Sequence, residues 1–373
     1  MTLIKMLIPI ATLVLIACPK PEPENCPDNY HWDEDKSECV MDTTNHSFTW
    51  TIDTLGSFAS SIRDIAIVNE NNIWAVGQII VPDPDSTYTS GRLSYNAAHW
   101  DGNEWEMLNI INSTLLYSIT YFNEDDIWVV KHTFPVHWDG EEWTQYHLQN
   151  MGLDVAGTGK SCWGTSSDNM YFAGKDGNVV HYDGSTFTKL STGLSVGFKS
   201  ISGKENGDFV TVGYNTSGES ASAMVEYKGS NFLTLYNPDY LPTAEYGAVH
   251  CVDYVGDRYL MGCSYGILDY NSETQVFNLL GNDILEWSSY HSIRTIQSQA
   301  PNDVVAVSNW GGFAYYNGNT WNSHTGIEEQ VAVNGSFVAY GMDYKDDMVV
   351  IGGVGDTDSI YLEAIIIIGK SNN

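Results

Sequence analysis

The chain has 373 residues, with 16 Lys and Arg against 47 Asp and Glu and a formal net charge of −31. A surface so acidic repels nucleic-acid phosphates and anionic headgroups, which excludes both as partners, and it stays soluble at a crowded cell surface. Divalent cations are expected to collect on it weakly, and no dedicated cofactor is expected.

The first segment in chain order is a processing signal. Lys5 precedes an apolar run from Met6 to Ile16, too short for a permanent span, that ends at Leu15-Ile16-Ala17-Cys18. This Leu-Ile-Ala-Cys resembles the lipobox of bacterial lipoproteins. The resemblance implies a signal peptide over 1–17, cleavage before Cys18 and acylation of its thiol and new amino group. The mature chain would then sit in the bacterial envelope, periplasmic or surface-facing, held to the membrane only through its lipid. Residues 18–45 read as the lipidated Cys18, a stiff Pro-rich spacer from Pro19 to Asn25, and a small hairpin bracketed by Cys26 and Cys39. In an exported protein that pair is expected to form a disulfide. His31 between them has no fourth partner at metal-ligand spacing.

From residue 46 to 373 the chain repeats itself. Trp100-Asp101-Gly102 to Trp105, Trp138-Asp139-Gly140 to Trp143 and Tyr182-Asp183-Gly184 to Phe187 share one phrase. Weaker copies run from Tyr227 to Phe232, Tyr270 to Phe277 and Tyr316 to Trp321, at intervals of roughly 38 to 46 residues. Each unit also carries an Asx-rich turn between two apolar runs, such as Asn69 to Asn72 before Ile73-Trp74-Ala75-Val76. Four strands per unit, A to D outward from an axis, follow from these turns. The units number seven, and the last, from about Val338 to Lys370, has only three strands. Phe48-Thr49-Trp50-Thr51-Ile52 supplies the fourth, which predicts an all-β, seven-bladed propeller closed by its N-terminal strand. Ala364 to Ile368 is one of its buried strands. From about Phe48 onward the blades resemble bacterial seven-bladed propellers, and in general form WD-repeat, kelch and photosystem II assembly-factor propellers. The Asp-Gly-x-x-Trp phrase is similar to the sialidase Asp-box, with one residue fewer between Asp and Gly. Its Asp and Gly are read as turn formers and its Trp as interblade packing.

Cys162 and Cys251 are expected at the inner-strand position of Ile65, Ile119, Ile201 and Ile296. Cys251 and Cys263 lie on consecutive strands, which leaves a free pair or a cross-strand bridge open.

The A–B and C–D turns are short, whereas the B–C and D–A loops vary, so a ligand is expected on the latter face. A long insert from Gln78 to Asn96 lies there, and Tyr240, Tyr246, Trp287, Tyr290 and Trp310 bring flat amphipathic rings to it. At the start of strand A, alignment of the units places Arg63, Tyr117, Lys160, Lys199, Val249, Arg294 and Val338 at one position. A one-residue gap in the fifth unit substitutes His250. The next position is mostly small and polar. The innermost strands surround the channel, so these residues predict a positive collar suited to a carboxylate, sulfate or phosphate. The alternative is that its cations pair with Asp64 or loop carboxylates. The candidate site is therefore Arg63, Tyr117, Lys160, Lys199, His250, Arg294 and Trp310, holding an anionic glycan or acidic peptide. Two other readings are a scaffold docking an envelope protein and a sialidase-like glycan-cleaving enzyme. The enzyme would draw on Arg63 and Arg294, with Arg92 joining from its loop and Arg258 on the wrong face. No catalytic residue is identifiable for it.

Overall fold

The computed structural model describes residues 26–33, 36, 38–87, 91–132, 134–155, 160–214, 222–236, 247–280, 292–309, 311–324, 337–355 and 362–372. They fall into two units, within Met1–Asp42 and Thr43–Asn373. In the first, Tyr30–Asp33 pairs with Glu38–Met41 and the Cys26–Cys39 disulfide closes the hairpin. The lipobox with Cys18 and the spacer lie outside the described residues.

The second unit is a ring of four-stranded antiparallel blades. Blades two to six are separate sheets whose inner strands are Leu116–Asn123, Ser161–Ser166, Phe198–Gly203, Val249–Val255 and Ile293–Ala300. Blades seven and one share the continuous strand Phe48–Asn69. Its first part pairs with Glu363–Ser371 as the outer strand of blade seven, and its second part pairs with Asn72–Pro82 as the inner strand of blade one. Phe58 and Ala59, at φ 57° and 70°, turn the chain between the two roles. The fold is the predicted seven-bladed β-propeller with its N-terminal closure. Among the described residues no helix is long and apolar enough to cross a membrane.

Burial explains why the ring holds. Each blade interface carries its own apolar cluster, from Val76, Ile119 and Val136 between blades one and two to Ile62, Ile73, Val350 and Ile366 between seven and one. At the closing strand, Trp50 is 7% exposed and sets its ring edge-on to Phe313 of blade six, with centroids 4.8 Å apart. It stands opposite Gly369, where the other blades have Trp100, Trp138, Tyr182, Tyr227, Tyr270 or Tyr316 facing their outer-strand aromatic. A side chain at Gly369 would collide with the Trp50 ring.

The Asp-Gly phrases are turns, as read. Asp101 Oδ1 accepts the backbone N–H of Asn103 and Glu104, Asp139 and Asp183 repeat the pattern, and Gly102, Gly140 and Gly184 take φ near 90°. Those N–H donors favour the charged carboxylate and hold the pKa of all three aspartates down. Trp105 packs into the cluster between blades seven and one, and Trp143 into that between one and two.

Two expectations change. The insert from Gln78 to Asn96 is less a loop than an extension of strands B and C, with Ile79 opposite Tyr95 and Pro82 opposite Arg92. Cys162 holds the position of Ile65 and Ile119, but in blade five Val252 takes that place and Cys251 stands one residue earlier, opposite Gly262. Blade five lacks the second irregularity that other blades carry near the A–B turn, so its inner strand is one residue shorter there. Cys251 and Cys263 are separate, buried free thiols, so no cross-strand bridge forms.

Candidate functional site

The inner strands are irregular at one common point. Pairing to strand B jumps between Ile62 and Asp64, Leu116 and Ser118, Phe198 and Ser200, Val249 and Cys251, Ile293 and Thr295, and Ala339 and Gly341. The residue left over at each jump is Arg63, Tyr117, Lys199, His250, Arg294 or Tyr340. In blade three, Lys160 immediately precedes Ser161–Ser166. A β-bulge leaves one residue unpaired and re-aims its side chain. Here all seven are aimed into the mouth of the central channel, where they line a cavity of about 190 Å³ together with Tyr214 and Ala339. The channel behind it holds a cavity of about 670 Å³.

Six of the seven sequence-predicted site residues therefore meet in one collar, and Trp310 lies outside the described residues. The alignment that put Val249 and Val338 in the collar is corrected to His250 and Tyr340. Blades one, two, three and six carry a second irregularity near the A–B turn, after Ile67, Tyr121, Gly164 and Ser298. Blades five and seven lack it and turn tightly at Val255–Arg258 and Lys345–Met348, so a count back along the chain overshoots. Tyr340 and Tyr214 were missed. The Tyr340 signal was the repeat itself, read in the wrong register, while Tyr214 reaches the mouth from the end of a B strand. Tyr240, Tyr246, Trp287 and Tyr290 lie outside the described residues.

The collar interleaves cations with rings. The Arg63 guanidinium lies 4.0 Å from the Tyr340 ring centroid, Lys160 Nζ 4.7 Å from that of Tyr117, and Lys199 Nζ 5.2 Å from that of Tyr214. Arg294 Nη1 donates to His250 Nδ1 at 3.2 Å, and His250 Nε2 lies 3.2 Å from Ser264 Oγ. Burial, then Arg294 and Lys199, pushes the His250 pKa down to about 3. The ring is thus neutral, accepts a hydrogen bond from the guanidinium N–H at Nδ1 and donates one from Nε2. Burial first, and then the neighbouring cations, lowers the pKa of Lys160 and Lys199. Among the described residues none of Arg63, Lys160, Lys199 and Arg294 makes an ion pair.

Asp64 does not neutralise them. Its Oδ2 accepts Ser118 Oγ at 2.9 Å and the Ile119 N–H at 3.0 Å, both from blade two. This belongs to a rule of the channel wall, in which a polar side chain on one inner strand accepts a backbone N–H of the next. Ser118 Oγ accepts from Cys162, Ser200 Oγ from Val252, Ser202 Oγ from Tyr254, and Asp343 Oδ2 from Ile67. Asp253 is joined to Ser298 of blade six. The small polar residues next to the collar are thus latches that satisfy an otherwise open strand edge. Burial raises the pKa of Asp64 to about 6 and of Asp253 to about 7, and raises that of Asp343.

Among the described residues no activated nucleophile is assembled. Asp126, His137 and Ser167 cluster, but Asp126 Oδ1 and Ser167 Oγ both approach His137 Nε2, at 2.9 and 3.1 Å. A working triad needs the nucleophile and the orienting carboxylate on opposite nitrogens of the histidine ring, which is the base. The same contact recurs between His99 and Asn72 and between His181 and Asn169, which marks it as part of the blade framework. Arg92 stacks on Phe58, and Arg258 pairs with Asp269 beside an A–B turn, so neither lines the collar.

No protein-family model matches the chain, and no curated protein matches its sequence. Solved structures do. "YCF48 bound to D1 peptide" superposes with a TM-score of 0.60 over 89% of this chain and 98% of that one, at 15% identity. YCF48 from Cyanidioschyzon merolae gives 0.56 over 86% and 98%, at 13% identity. The extracellular domain of the one component system BT4673 from B. thetaiotaomicron gives 0.58 over 87% of this chain and 40% of that one, at 13% identity. At these identities the likeness establishes the propeller fold alone.

Proposed function

We propose that this chain is a lipid-anchored binding module of the bacterial cell envelope whose collar holds the anionic part of a glycan or an acidic peptide. One observation carries the reading. In a chain of net charge −31, four cations converge at one channel mouth and, among the described residues, meet no carboxylate. Fixed cations in a low-dielectric concavity attract an anion far more strongly than the same charges on an open surface. Their supports are aromatic faces and a neutral imidazole, which orient charge without cancelling it. The lipobox at Cys18 supports the envelope location. Two of the similar structures are consistent with the reading, one being an extracellular domain and the other holding a peptide. The deciding experiment titrates the full-length protein with uronic-acid and sulfated glycans, acidic peptides and neutral sugars at low and high salt. A variant with Arg63, Lys199 and Arg294 changed to Gln runs alongside. Salt-sensitive binding by the wild type alone is expected. Equal binding by a folded variant would place the site elsewhere.

A further inference from the structure

The collar's hydrogen-bonding inventory narrows the ligand further. Arg63, Arg294, Lys160 and Lys199 can only donate, whereas the hydroxyls of Tyr117, Tyr214 and Tyr340 can donate or accept. His250 has Nδ1 engaged by Arg294 and Nε2 beside Ser264. The charged part of the lining therefore offers donors alone. An oxyanion, which only accepts, matches this lining.

Charge then sets the number of oxyanion groups. One carboxylate would leave three of the four cations uncompensated in a half-buried site. The mutual repulsion is visible in the lowered pKa of Lys160 and Lys199, where neighbouring cations add to burial. We infer that the collar selects a polyanion, a ligand carrying two or more phosphate or carboxylate groups, over a singly charged one. This rests on the reading of the collar as an anion site.

The test is calorimetric titration of the full-length protein, in metal-free buffer, with tripolyphosphate, citrate, glucuronate, acetate and glucose. Tripolyphosphate and citrate are expected to bind more tightly than acetate or glucuronate by about tenfold per added oxyanion group, the factor given by roughly 1.4 kcal/mol of charge-assisted contact. The two polyanions separate a phosphate source from a carboxylate source. Lys199→Gln, which removes one half-exposed cation, is expected to weaken the preferred polyanion about tenfold by the same conversion, with its circular dichroism unchanged. Glucuronate binding as tightly as citrate and tripolyphosphate would overturn the polyanion inference and leave the anion site standing. No binding of any anion would overturn both.

Discussion

Ring closure turns on two residues that have exchanged bulk, Trp50 on the N-terminal strand and Gly369 opposite it. A Cβ added at Gly369 falls 2.4 Å from Trp50 Cζ3 and 2.7 Å from Cε3. Carbon atoms rest about 3.5–4.0 Å apart. Trp50 cannot retreat, since Phe48 and Phe313 flank it at centroid distances of 5.5 and 4.8 Å. Gly369→Ala is therefore an overpacking change, costing about 1–3 kcal/mol. Trp50→Ala removes a buried ring and its edge-to-face partner and costs about 3–5 kcal/mol. In the double variant the new methyl enters the vacated space, so the second change is nearly free and the pair couples by about 1–3 kcal/mol. Urea unfolding of the four proteins at matched slopes measures the cycle. A Gly369→Ala cost that is the same in both backgrounds would refute the packing of Trp50 on Gly369, and with it this account of closure.

Two further outcomes follow from the channel and the core. The folded Asp253 keeps its proton to about pH 7, whereas an unfolded aspartate releases it near 3.9. The folded state therefore binds more protons between those values, and stability falls as pH rises from about 4 to 7, by on the order of a few kcal/mol. Asp253→Asn should flatten that part of the profile in thermal unfolding at pH 4 to 8, and an unchanged slope would contradict the buried latch. Burial also holds the Cys162 thiol at about 11 and the Cys251 thiol at about 12, and raises that of Cys263. All three should resist a thiol reagent in the native protein and react fully in denaturant. Rapid native labelling of any of them would contradict the interblade placement.

The blades were legible because their turns are written locally. Asp-Gly with φ near 90° and the facing aromatics need only a few consecutive residues, and the missing outer strand of the last unit pointed to Phe48–Ile52. The collar was legible in five blades, where the spacing from the collar residue to strand B is constant. It failed at Val338, and needed a gap at Val249, because blades five and seven turn tightly and are shorter there, a difference with no composition signal of its own. The latch role of Asp64, Ser118 and Ser200 was hidden for another reason. It depends on the distance between neighbouring inner strands, which no single strand encodes. Tyr214 needed the third dimension outright, since it belongs to a different strand from the cations it supports.

The central claim is that an anion sits in the bulge collar, and a crystal structure grown with selenate locates anions directly by their anomalous signal. The account predicts a peak at the channel mouth within hydrogen-bonding distance of at least two of Arg63, Lys160, Lys199 and Arg294. Peaks confined to outer-surface lysines such as Lys228, with none among the collar cations, would contradict it.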